Sequence, residues 1–485
     1  MKTFSDEVDG EVPQVAGEQV AGEYEKVIGG NMQAAGKNED AIDGGAKYSF
    51  SELQKMMLQN NPTLKQCEQE IKQSLLDVKN AKANLSPTID FQAGFTYLVN
   101  PPIAPVKVNV DDIINSLQWQ EGFRPTSTGQ YLTLYEGLED TLYTIQFTLQ
   151  QPVFTWGKIT NGIKLYNQIL EVKKSQMNLE TKKLNTELET RLTALWYLYK
   201  IAKVLEEENK YAGRLVKVSE DAQKAGLLLA QDVLEARIQA KELDIALQDV
   251  NEQIKNNIFE IEKITGVMDL SQDSFDYEFD ESFVDKVLLL DRDAVEINAL
   301  NEEQDSIKIL SHLSKVNDTA IRISKASVYW KPDFALSVTA GYGGSRFPLL
   351  EENYLRKDDY TLNFTLGLKT CVWDGGKKLN EVSRSISSKQ VTQIKEEDAK
   401  ANIRKTLQTQ WNTCDVCVLK IDYQKLKIET TQSKILQEQR AFESGYGSET
   451  ELLTSQIKNC NEQIELLRQK LNLASSCFMI YFLYK

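Results

Sequence analysis

The sequence predicts a mainly α fold with a β-barrel portion, and three observations predict it. Two proline-free stretches, Gly157 to Gly226 and Gly376 to Gly445, have equal length and are offset by 219 positions at both ends. The chain is therefore an internal duplication. Both stretches keep a helical period throughout, and at about 1.5 Å per residue each would reach roughly 100 Å, several times the width of an ordinary domain. Four other segments switch to a period of two. A rod of two similar halves, each a β-hairpin on long helices, follows from these patterns.

Composition removes several function classes. Of 485 residues, 71 are acidic and 56 basic, for a net charge of −15. The basic residues are spread along helices rather than gathered in a stripe, which excludes nucleic acid as the expected partner. The six cysteines show no framework spacing, and Cys414 with Cys417 reads as two small buried residues on one helix face rather than half of a zinc site. The single histidine, His312, reads as a solvated helix residue. No catalytic constellation, cofactor motif or metal set is present. No apolar run is long enough for a transmembrane helix, and the first residues lack the apolar core of a secretory signal.

In chain order, residues 1–47 form an acidic, glycine-rich tail with too few large apolar side chains to offset the entropy of ordering. The first repeat spans 48–266. It opens with a helix from Ser51 to Leu85, capped by Ser49 or Ser51, with Pro62 near its first turns and Pro87 at its end. A β-hairpin over 88–153 follows. Its first strand alternates Ile89, Phe91, Ala93, Phe95 and Tyr97 with Asp90, Gln92, Gly94 and Thr96; its second alternates Tyr143, Ile145, Phe147 and Leu149 with Thr144, Gln146, Thr148 and Gln150. The connection between them, Asn100 to Asp140, is long and carries Pro101, Pro102, Pro105 and Trp119. A helical hairpin completes the repeat, with Leu184, Leu188, Leu192 and Leu195 on the way out, a tip near Gly226, and Val233, Leu243, Val250, Ile254 and Ile261 on the return.

Residues 267–290 are an acidic, aromatic linker expected on the outside of the helices. The second repeat, 291–485, repeats the plan with a helix, a β-hairpin over 333–372 and a second helical hairpin. Its strands alternate Phe334, Leu336, Val338, Ala340 and Tyr342, then Tyr360, Leu362, Phe364, Leu366 and Leu368, with polar or small residues between. Ile403, Leu407, Trp411, Cys414 and Ile421 lead to a tip near Gly445, and Leu453, Ile457, Ile464 and Leu471 return from it.

A soluble antiparallel sheet with one wet face would alternate in the same way. Two features favour membrane-spanning strands: tyrosines at the strand ends (Tyr97, Tyr143, Tyr342, Tyr360), and the lack of short amphipathic helices to cover the apolar face. Phe91, Phe95, Ile145, Phe147, Leu336, Val338, Leu362 and Phe364 would then face lipid. Four strands are too few to close a barrel, since small closed barrels have about eight, so a membrane reading requires several chains.

The chain resembles the outer-membrane efflux protein family, the TolC-like channels. The residues that carry the likeness are Gln59-Asn60-Asn61-Pro62 with Leu64, the helix-to-strand prolines Pro87 and Pro332, and the strand-to-helix turn Gln151-Pro152-Val153-Phe154-Thr155-Trp156-Gly157-Lys158. The turn has a second copy in Val372-Trp373-Asp374-Gly375-Gly376-Lys377. Each marker alone is weak; their order, duplication and spacing are specific.

The resemblance implies a homotrimer in which antiparallel helical hairpins form an α-barrel tunnel across the periplasm. Four transmembrane β-strands per chain would complete a 12-stranded barrel in the outer membrane. The tips at Gly226, Leu227, Gly445 and Tyr446 would dock a periplasmic adaptor (membrane fusion) protein and, through it, an inner-membrane pump. Asp232 and Glu451 match two acids of the family's closed gate, and Phe442 its aromatic; as solvated charges in the first turn of a returning helix, favoured by its dipole, the two acids have an equally ordinary reading. Gly447 stands where the family has a gate arginine, and Asp293 where proline is usual. A soluble coiled-coil scaffold without channel activity is the competing expectation.

Overall fold

The computed structural model describes residues 47–99, 106–120, 122–135, 140–328, 331–345, 347 and 359–485. The acidic tail, apart from Lys47, lies outside the described residues, as do Pro101, Pro102 and Pro105 of the first connection and most of the second.

After a two-residue strand β1 (Tyr48–Ser49), the opening helix is two helices, α1 (Phe50–Asn60) and α2 (Pro62–Ala83), where the sequence suggested one. Asn61 makes the break. Its side-chain oxygen accepts from the N–H groups of Thr63 and Leu64 at 2.9 and 3.2 Å, and Pro62 takes the first helical position, where its missing N–H leaves nothing unpaired.

Strand β2 (Thr88–Tyr97) leads into the long connection, which is not irregular: it contains β3 (Val106–Asn109), helix α3 (Val110–Ser116) and β4 (Tyr131–Tyr135), with β3 and β4 paired antiparallel. Then come β5 (Thr141–Phe154), α4 (Lys158–Lys224) and α5 (Ala230–Thr265). The linker supplies β6 (Phe275–Asp276), parallel to β1, and a short helix, α6 (Ser282–Leu288), and a further short helix, α7 (Arg292–Ala299), lies just beyond it. The second repeat follows as α8 (Asp305–Ser327), β7 (Asp333–Gly344), β8 (Tyr360–Lys369), α9 (Lys377–Glu443) and α10 (Glu449–Tyr484). Helices α4 and α9 both have 67 residues and α5 and α10 both have 36, so the duplication holds at the level of single elements.

The elements form one layer. Near the strands the helices neighbour one another in the order α2, α4, α8, α9; toward the tips the order is α5, α4, α10, α9. The sheet repeats that order as β2, β5, β7, β8, all antiparallel. Helices α4 and α9 run the full length, while α2 and α5 fill one file between them and α8 and α10 another. Where α2 and α5 meet, Asn61 Nδ2 donates to the Ile264 carbonyl at 2.8 Å. Gly266, with φ of 70°, packs so closely that a Cβ would stand 2.7 Å from that of Asn60.

Two apolar clusters hold the layer. The first joins Leu188, Leu192, Leu195 and Ile201 of α4 to Ile254, Ile258 and Ile261 of α5. The second gathers Trp411, Cys414 and Cys417 of α9 with Ala474, Cys477 and Phe478 of α10, and it takes in Phe279, Val284 and Val287 of the linker and Val295 of α7. The linker thus contributes side chains to a core as it packs against the long helices. Both short helices pack on the long helices, so although short helices exist, the sheet's apolar face stays open. His312 is not simply solvated: it is half-buried, 3.5 Å from Ser175 Oγ, and burial, with Lys315 nearby, pulls its imidazole below the usual range.

Candidate functional site

Pairing register decides what the sheet can do. Residues opposite one another in a ladder share a face, and the ladder sets Phe91 opposite Phe147, Phe147 opposite Ala340, and Ala340 opposite Leu362. The same counting joins Ile89, Leu149, Val338 and Phe364, and Ala93, Ile145, Tyr342 and Tyr360. All eight strand residues expected to face lipid therefore lie on one continuous apolar face. Phe91, Phe95, Phe147, Leu362 and Phe364 are exposed, Phe364 to 71%, and Ile145, Leu336 and Val338 are half-buried among their neighbours. The opposite face carries Gln92, Thr144, Gln146, Thr148, Ser337, Thr339, Thr361, Asn363 and Thr365.

Aromatic rings close the apolar band at both ends. At the far end Phe95 packs against Tyr143 with ring centroids 4.9 Å apart and Tyr342 against Tyr360 at 5.2 Å, both pairs tilted, matching the tyrosines singled out in the sequence. At the helix end Phe154 meets Trp156 at 4.9 Å and Phe334 at 6.5 Å, and Trp373 is exposed. Sequence reasoning missed this second belt because its residues fall where the alternation stops. Trp156 also ties the two repeats together: its Nε1 donates to the Pro332 carbonyl at 2.9 Å, and Lys158 bridges Asp333 at 2.8 Å.

At the other end of the layer, the two tips turn through Gly226 (φ 78°) and Gly445 (φ 81°), a left-handed conformation that glycine adopts without strain. The tips sit side by side, since Arg214 of α4 donates to Glu449 at the start of α10 at 2.6 Å. Leu227, Leu229 and Tyr446 project outward, Tyr446 to 94% exposure. The two acids expected to act alike differ. The Asp232 carboxylate accepts from the Leu229 N–H at 3.0 Å and caps α5, whereas Glu451 is exposed and makes no hydrogen bond or ion pair among the described residues. Phe442, 40% exposed, ends α9. At Gly447 a Cβ would stand 2.7 Å from the Phe442 backbone nitrogen, so this tip excludes any side chain, arginine included, without rearrangement.

Among the described residues no helix is long and apolar enough to cross a membrane, and no group of three or more His, Cys, Asp or Glu is arranged to hold a metal ion. What the geometry offers instead is a two-faced sheet with open edges, set on a long helical layer with paired tips.

Comparison with known proteins agrees with this shape. Residues 53–267 match the family model described as outer membrane efflux protein. No curated protein matches the sequence. Among solved structures, the outer membrane protein VceC from Vibrio cholerae is 13% identical with a TM-score of 0.67, over 90% of this chain and 95% of that one. The CmeC outer membrane channel of Campylobacter jejuni is 12% identical with a TM-score of 0.69, over 90% and 85%. The MtrE outer membrane channel of Neisseria gonorrhoeae, solved in an open state, is 11% identical with a TM-score of 0.63, over 92% and 94%. The CmeC and MtrE structures are outer membrane channels. Residues 53–267 thus match the outer membrane efflux protein family, and about nine-tenths of the chain shares the fold of these outer membrane proteins.

Proposed function

We propose that the chain is one subunit of a homotrimeric export duct: a β-barrel in the outer membrane continued by a helical tunnel in the periplasm. The observation that carries this reading is that sheet and helices stop at the same edges. Among the described residues β2 and β8 each have only one partner strand, and an open edge of this length invites pairing with another chain. The helical edges beneath are apolar where they should meet water. Helix α5 exposes Leu234, Ile238, Ile245 and Phe259, and α9 exposes Val416, Leu419, Tyr423 and Leu426. The α9 residues follow steps of three and four, the spacing of a helix-packing seam.

In a closed ring, β8 of one copy pairs with β2 of the next, and α9 of the first packs on α2 and α5 of the second. Three copies give twelve strands, with the apolar faces meeting lipid and the polar faces lining water. Substrates pass through without reaction. The tips at Gly226, Leu227, Gly445 and Tyr446 receive a periplasmic adaptor that links the duct to an inner-membrane pump, and Asp232, Phe442 and Glu451 surround the constriction between them. A soluble scaffold would leave the apolar sheet face in water, where it would aggregate.

The test is fractionation of cells that make the protein, combined with lysine cross-linking. The chain is expected to sediment with outer membranes, to resist salt and alkaline washing, and to cross-link as trimers. Recovery as a soluble monomer overturns the proposal.

A further inference from the structure

All six cysteines are free thiols in this structure, yet two of them are not independent. Cys414 on α9 and Cys477 on α10 are both 0% exposed and belong to one core cluster, where the two thiols lie close enough to perturb one another. Their meeting follows from the register of the second helical hairpin. Nearer the tip, Thr431 bonds Asn459 at 3.1 Å and Lys427 bridges Glu462 at 3.2 Å, and the same antiparallel step carried up the hairpin brings Cys414 opposite Cys477. Cys417 and Ala474, also buried, occupy the same stretch of seam, and small residues there favour the close helix approach that a sulfur–sulfur bond requires. Cys67 and Cys460 have acids rather than thiols beside them, and Cys371 is exposed with its thiol on the Trp373 carbonyl.

We propose that Cys414 and Cys477 are joined by a disulfide in the mature chain, stapling α9 to α10 in the middle of the second repeat. The proposal rests on the reading that the helices lie in the periplasm, a compartment where disulfides form and persist.

The chemistry is dithiol–disulfide exchange with a disulfide-bearing thiol oxidase. One cysteine sulfur attacks the oxidase disulfide, forming a mixed disulfide and releasing one oxidase thiolate. The second cysteine sulfur then attacks the first, forming the Cys414–Cys477 bond and releasing the other thiolate. The two thiol protons pass to the leaving thiolates, and the two electrons stay with the oxidase, now a dithiol. Because both sulfurs are fully buried once the hairpin has packed, exchange occurs while α9 and α10 are still closing.

The experiment is a thiol map of the full chain taken from the fraction in which the sedimentation test finds it. The sample is quenched in acid, unfolded and alkylated without reduction, then reduced and alkylated with a second reagent before peptide mass spectrometry. Cys67, Cys371, Cys417 and Cys460 are expected to carry the first label, and Cys414 and Cys477 the second, with a linked peptide before reduction. In Cys477→Ser, Cys414 moves to the first label; in Cys417→Ala the bridge remains. First label on both Cys414 and Cys477, or a bridge that uses Cys417, overturns the proposal. An outer-membrane chain with free Cys414 and Cys477 loses the disulfide and keeps the duct. A soluble chain loses the duct, and the map still decides the bridge.

Discussion

Helices α4 and α9 are copies of one another with equal length, yet α4 buries 17 of its residues and α9 only eight. Position explains the difference: α4 has neighbours on both sides all along its length, whereas α9 is an edge of the layer. The exposed positions sharpen the contrast. Where α9 exposes Leu419 and Leu426, the equivalent positions of α4 are Lys200 and Glu207, exposed as well but charged. After duplication one copy kept a face for water, and the other acquired a face for something apolar. This is the pattern expected if α9 meets the next copy of the chain.

Breaking that contrast should have the largest effect. Transplanting the α4 residues into α9, as Leu419→Lys with Leu426→Glu, removes two apolar side chains worth about 3–6 kcal/mol when buried. Assembly should weaken by on the order of a hundredfold or more, seen as monomers in place of trimers after cross-linking. The reverse exchange on α4, Lys200→Leu with Glu207→Leu, should leave assembly unchanged.

A second test uses the residue after each of these positions. Glu208 of α4 and Lys427 of α9 are equivalents, and α10 lies between them, offering Asn461 to Glu208 at 2.7 Å and Glu462 to Lys427 at 3.2 Å. The α9 residue gains an ion pair. The α4 residue is a fully buried carboxyl with Oε2 unpartnered, beside Cys460 and Glu207, and burial pushes it up to about 7. The folded state therefore holds a proton that the unfolded chain loses near pH 4.5. Stability should be greatest below that pH as far as this group is concerned, fall as pH rises toward about 7, and then level off. The span is on the order of 3 kcal/mol. Melting curves against pH should show the slope in the wild type and lose it in Glu208→Gln.

The smallest effect belongs to the tips. Asp232 and Glu451 are equivalents, but only Asp232 caps its helix. Asp232→Ala should cost about 0.5–1 kcal/mol and fray the start of α5, measured as faster amide exchange there. Glu451→Gln should leave exchange unchanged and instead weaken block by divalent cations in a bilayer recording, because three copies of Glu451 would ring the constriction.

The sequence alone fixed whatever depends on local pattern. The glycine pairs predicted equal helices because a left-handed residue ends a helix wherever it occurs, and α4 and α9 indeed begin after Gly157 and Gly376 and end just before Gly226 and Gly445. Strand alternation predicted the two faces because successive side chains must point in opposite directions. Pairing across β5 and β7, which turns two hairpins into one sheet, joins residues nearly two hundred positions apart, and no local pattern encodes it. The split at Pro62 and the cap made by Asp232 are local, but the burial of the linker was likewise decided by contacts between distant segments. So was the meeting of Cys414 with Cys477: the sequence showed a C-x-x-C pair within one helix, and only the packing of α9 on α10 supplied the third thiol. Periodicity specifies which face of an element is apolar, whereas the order of elements in the layer decides which of those faces is buried within the chain and which is left for another.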